Sequence, residues 1–254
     1  MGPRIPGAGA GHVNPTDRLV MSDPDQHLML FVAANEVVLA EQAAALLEIT
    51  DEDATGRLER LRAERLVTQV HLSSQLPSAY RITRAGAEQT DSFLPPLRPL
   101  DMGGYRHEIA IAWLWASARH GQLGDLREVL TRREMQAADS TLRSESLLDT
   151  PGARFSSSPV GGTATDARHS YPDLGLVQAA GGWATLDVVL SLPKPAHLKY
   201  KLGRYRHDRL MLAQLYLVEQ DQQIDDAITA AAEDLGLSDR VHVQRLAHNG
   251  IAGA

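Results

Sequence analysis

Cysteine is absent from the 254 residues. Disulfides and thiolate metal sites are therefore excluded, and the composition fits a cytoplasmic chain. No apolar run approaches the roughly 20 residues of a membrane helix, so no membrane partner is expected. The opening "MGPRIPGAGAGHVNPTDR" has no hydrophobic segment of the kind a secretory signal needs, and residues 1–24 read as a disordered leader. Proline at position 6 argues against myristoylation. "GAGAGH" has no strand before it or helix after it, so it is no dinucleotide loop. Nucleophile elbow, P-loop and internal repeat are all missing, and the histidines show no zinc-like spacing.

Lysine is nearly absent too. Lys194, Lys199 and Lys201 are the only three, against 22 arginines. Abundant Ala, Arg and Leu suit a GC-rich coding sequence, so only the position of the lysines is informative. They lie in "PKPAHLKYKLGRYRHDR", Pro193 to Arg209, which has six basic residues and one acid in a chain of net charge −7. Phosphate affinity comes from basic contacts, so an acidic protein that binds DNA must do so through a local patch. This segment either faces phosphate, through Lys199 and Arg204 among others, or is a solvated face balancing the seven acids of residues 219–239.

From Asp25 to Thr90 the sequence predicts three helices, a two-stranded ribbon and a closing helix. Leu28, Phe31 and Val32 have helical spacing, and Ala43, Leu46 and Leu47 face inward on a second helix. Thr50 caps a third, with Ala54, Leu58, Leu61 and Leu66 as its buried stripe. "VTQVHL" and "AYRITR" read as strands joined by "SSQLPS", and "RAGAEQTDSFLPPL" as the last helix. Arg57, Arg60, Arg62 and Arg65 would either reach a DNA groove or form a salt-bridged surface with Glu59 and Glu64. Arg81 and Arg84 are further phosphate candidates, because the ribbon loop carries no base.

Pro and Gly mark a linker at residues 95–104, and a second domain is expected over 105–247, with a long loop at about 140–170 and a tail at 248–254. "YRHEIAIAWLWASARHG" is an amphipathic helix with Ile109, Ala112, Trp113 and Ala116 on one face; His107 and Glu108 cap its start or touch the first domain. "DLREVLTRREMQAAD" reads as helical, leading towards a strand. Strands follow at "YPDLGLVQ" and "WATLDVVLSL", then a proline-started helix with Leu198, Leu202 and Tyr205 buried, then "AQLYLVEQ", a helix stopped at Gly236, and "RVHVQRL". The order ββαβαβ implies a small mixed sheet.

These stretches carry two resemblances. "LERLRAERLV" with Tyr80, Ile82, Thr83 and Gly86 resembles bacterial winged-helix domains. The second half resembles the PD-(D/E)xK nuclease fold, with Asp173 and Asp187 at its acidic positions and Val189 where the strand lysine would be. "RHEIAIAWL", "RREM", "YPDLGLV" and "LKYKLGRY" together resemble the replication-relaxation family of actinobacterial plasmids and mobile elements. The resemblance implies an α+β chain, an N-terminal winged helix followed by a nuclease-like domain that binds double-stranded DNA. It also implies a role in replication, relaxation or transfer, with a protein partner from that process or a second copy as a homodimer. An active form would hold Mg²⁺ on Asp173 and Asp187, with Lys194 or Lys201 stabilising charge and Glu134 as an added carboxylate, unless Glu134 is a surface residue paired with Arg132 or Arg133. The single acid in Asp187-Val188-Val189 points to a degenerate site. Two other readings stand beside this: a transcriptional regulator with a dimerising or sensing domain, and an interaction adaptor without DNA contact.

Overall fold

The computed structural model describes residues 21–73, 76–90, 94, 97, 99–100, 102–137, 171–219 and 221–245. The expected leader up to residue 20, the loop and the tail lie outside these residues, as does part of the linker. The fold is mixed α+β.

The first half comprises α1 (Asp23–Ala34), α2 (Ala40–Leu47), α3 (Asp51–Ala63), β1 (Val67–Val70), β2 (Ala79–Ile82) and α4 (Arg84–Gln89). Thr50 caps α3 by accepting a hydrogen bond from the Asp53 amide, and Asp51, Glu52 and Asp53 fill the positive first turn. Beyond α3, Arg65 has φ 63°, a left-handed turn that starts β1. β1 and β2 pair antiparallel. The Thr83 side chain caps α4 by accepting from the Gly86 amide, while its hydroxyl lies 2.7 and 2.9 Å from the carbonyls of Arg65 and Leu66. Gly86 is obligatory: a Cβ there would collide with the Leu66 carbonyl.

The second half runs α5 (Met102–Arg119), β3 (Leu126–Thr131), a short helix α6 at 132–137, β4 (Leu174–Gln178), β5 (Trp183–Val189), α7 (Pro195–Gly203), β6 (Met211–Val218), α8 (Gln222–Leu235) and β7 (Val241–Arg245). One sheet has the order β3-β4-β5-β6-β7, antiparallel across the first two pairings and parallel across the last two. β3 corrects the expected helix over this stretch. Val129 and Thr131 are buried while their neighbours are not, which is strand alternation at a sheet edge. The helix begins only at residue 132, where Thr131 and Glu134 form a capping box: the Thr131 amide donates to Glu134 Oε2 at 2.7 Å, and the Glu134 amide to Thr131 Oγ1 at 3.3 Å.

One sheet face, through Leu174, Leu176, Leu186 and Val188, packs on Ala110, Ile111 and Trp115 of α5. The other, through Tyr216, Val218 and Val241, packs on Leu198 and Leu202 of α7 and Ile224 and Ile228 of α8. The first apolar cluster continues without a break into Leu28, Phe31 and Leu58 of the first half. Phe31 and Trp115 rings lie 5.3 Å apart, and Gln42 Nε2 donates to the Ile109 carbonyl at 2.7 Å. The ribbon loop is also drawn in, since the Tyr105 hydroxyl donates to the Pro77 carbonyl at 2.9 Å. Among the described residues no helix is long and apolar enough to cross a membrane.

Candidate functional site

Asp173 sits one residue before β4, and Asp187 lies near the end of β5. Leu174 pairs with Leu186. One step further along that register brings the two aspartates to the same end of the β4–β5 pair. Both are 2% exposed. Asp173 is held from three sides: Oδ1 accepts from Arg132 Nη2, and Oδ2 accepts from the Val188 amide at 2.8 Å and from His107 Nε2 at 3.0 Å. Lys201, on the helix that follows β5, donates from Nζ to Asp187 Oδ1 at 2.8 Å. Position 189 is valine, and the cation on Asp187 comes from α7. His107 also reaches Glu108, with Nδ1 3.4 Å from Oε1.

The charges in this cluster depend on one another. Burial alone would lower the His107 pKa, but the charge of Asp173 and the hydrogen bonds to Asp173 and Glu108 outweigh it and push it up to about 10. The ring is therefore an imidazolium at neutral pH, donating from both nitrogens. Burial alone would raise Asp173, yet Arg132, His107 and Lys201 hold it well below the usual carboxylate range. Asp173 raises Arg132 against the opposing effect of burial. Burial would lower Lys201, but Asp187 and Asp173 raise it.

This donor set fits a divalent ion poorly. Mg²⁺ requires open carboxylate oxygens. Both oxygens of Asp173 already accept from cationic or amide donors, and Asp187 is occupied by an ammonium group. An ion bridging the two carboxylates would have to compete with Arg132 or His107 for Asp173 and sit beside the Lys201 ammonium at Asp187. Chemically, the cluster is suited to fixing α5, α6, α7 and the β4–β5 pair around one point.

The other sequence candidates are scattered. Glu134 is not a surface partner of Arg132 or Arg133. It caps α6, Arg132 turns to Asp173, and Arg133 donates to the Ala33 carbonyl. Lys194 is exposed at the start of α7, away from both acids. Lys199 pairs with Asp234 at 2.6 Å, and Arg204 lies 5.0 Å over the Tyr205 ring. In the first half, Arg57 and Arg60 both clamp Asp25 of α1, at 2.8 and 2.6 Å. Arg62 pairs with Glu59 at 2.6 Å, Arg81 with Glu36 at 3.2 Å, and Arg84 with Glu88 at 2.8 Å. Arg65 is exposed in its left-handed turn. Among the described residues of the second half, Lys194, Arg206 and Arg209 around α7 are exposed and form no ion pair, as are Arg119 at the end of α5 and Arg127 on β3.

Sequence reasoning missed Arg132 and the role of His107. Arg132 is masked by its twin Arg133, and a Thr-x-x-Glu capping box at the end of an alternating strand was the signal that could have separated them. His107 offered nothing beyond a helix-start reading. No protein-family model matches the chain, and no curated protein matches it.

Proposed function

We propose that this chain is a double-stranded-DNA-associated protein of a plasmid or mobile element, in which a PD-(D/E)xK-like core serves as a scaffold rather than as a cutting site. One observation carries the reading: two buried aspartates lie at the same end of the β4–β5 pair, with a lysine from the next helix on one of them. The order ββαβαβ, from β4 to β7, is the one on which the nuclease resemblance rests. The three helices and ribbon of the first half likewise suit a winged helix. The arginines of α3 are engaged with Asp25 and Glu59, so DNA contact falls instead to the exposed bases of the α7 segment, Lys194, Arg206 and Arg209.

A salt titration of duplex binding tests this. Each phosphate contact contributes a slope of about 0.9 in log affinity against log salt. The triple variant Lys194→Gln/Arg206→Gln/Arg209→Gln should lose most of that slope, and Arg57→Gln/Arg60→Gln should keep it. Incubating plasmid with Mg²⁺ or Mn²⁺ should leave it uncut. Nicking that disappears in a folded Asp187→Asn variant would replace the scaffold reading with an enzymatic one.

A second reading has its own support. The ribbon loop is bonded to α5, and the first turn of α3 presents Asp51, Glu52 and Asp53 to solvent. Both features disfavour docking on a polyanion and suit an adaptor that binds protein. Absence of duplex binding at low salt selects that reading.

A further inference from the structure

A cleft of about 460 Å³ opens on the opposite side of α6 from the aspartates, lined by Leu30, Ala33, Leu47, Trp115, Arg119 and Glu134 among others. Its size is that of a small-molecule site. Two polar groups with unused hydrogen-bonding capacity belong to its walls, while the Trp115 indole N–H is sealed behind them. Glu134 takes both Thr131 bonds on Oε2, which leaves Oε1 without a donor among the described residues. Arg119 stacks 4.9 Å over the Trp115 ring and has no carboxylate within ion-pair distance among the described residues.

From this convergence we infer that the cleft binds an uncharged amphipathic small molecule. An apolar body would lie against Leu30, Ala33 and Leu47, with a head that accepts from Arg119 and donates to Glu134, as an amide or hydroxy-ketone can. The charges argue for an uncharged head. Arg119 and Glu134 attract each other across the site, so a ligand bearing either sign would face one like charge. The site does not depend on DNA binding, because none of these residues belongs to the α7 segment.

Prodan, an uncharged naphthyl ketone with polarity-sensitive fluorescence, is a suitable probe for the full chain. Expected results are saturable one-to-one binding, about tenfold weaker in Arg119→Met, which loses a charged hydrogen-bond donor. Saturation should be lost in Leu47→Trp, which fills the cleft. Should that variant prove unfolded by circular dichroism, Leu30→Trp at the exposed rim replaces it. Absence of saturable binding, or binding indifferent to the cleft variants, overturns the site. Tighter binding of the anionic dye anilinonaphthalene sulfonate at the same cleft overturns the uncharged-head assignment.

Discussion

His107 links protonation to folding. Its pKa rises from 6.5 to about 10 on folding, so its contribution is fully present below about 6.5 and is lost as pH climbs through about 10. Denaturant melts at a series of pH values should show His107→Gln much less stable than wild type at pH 6 and the gap narrowing towards pH 10. A gap that stays constant would mean that the ring is not charged. Gly86 makes a different kind of contribution. Gly86→Ala forces α4 away from the Leu66 carbonyl and should cost about 1–3 kcal/mol by chemical denaturation. Arg65→Gly relieves a left-handed non-glycine residue and should gain up to about 1 kcal/mol. Thr83 and Gly86 stood out in advance as part of a short strand-to-helix motif, although the carbonyls that Thr83 reaches lie 18 and 17 residues away. Arg132 and His107 did not, because they meet Asp173 across 41 and 66 residues.

At the scale of the element, α7 is fastened to the sheet through the Lys201–Asp187 ion pair and by the Tyr205 ring, set edge-on to Trp183 at 4.9 Å. Removing one partner strands a buried charge. Lys201→Met should therefore cost about 3–5 kcal/mol, while Lys201→Met combined with Asp187→Asn should recover much of the loss. Additive losses in that double-mutant cycle would show the pair to be uncoupled. The buried side of α7 was legible from Leu198 and Leu202; Tyr205 is buried too, but in the turn that follows, because the helix stops at Gly203. β3 was not: an edge strand shows only half an alternation, and its end runs straight into a capping box, so the combined stretch has the look of one helix. The inward face of α2 was legible only in part, since Leu46 and Leu47 border the cleft instead of filling the core.

At the scale of the molecule, the two halves share one apolar cluster. Unfolding followed by far-UV circular dichroism and by tryptophan fluorescence should give coincident transitions, and Trp115→Ala should shift both by about 3–5 kcal/mol. Separate transitions would show two independently folding bodies. A composition that reads as two units joined by a proline-rich stretch gives no hint of this, because the Phe31–Trp115 contact is invisible to periodicity. β5 has a longer consequence. With an antiparallel neighbour on one side and a parallel one on the other, it obliges the chain to travel back along the sheet between Val189 and Met211. A side chain on the inward side of that return path, as Lys201 is, can reach a carboxylate on the strand. A positive charge can thus migrate along the gene while staying still in space, and two descendants of one ancestor could keep the same electrostatic arrangement with no shared spelling.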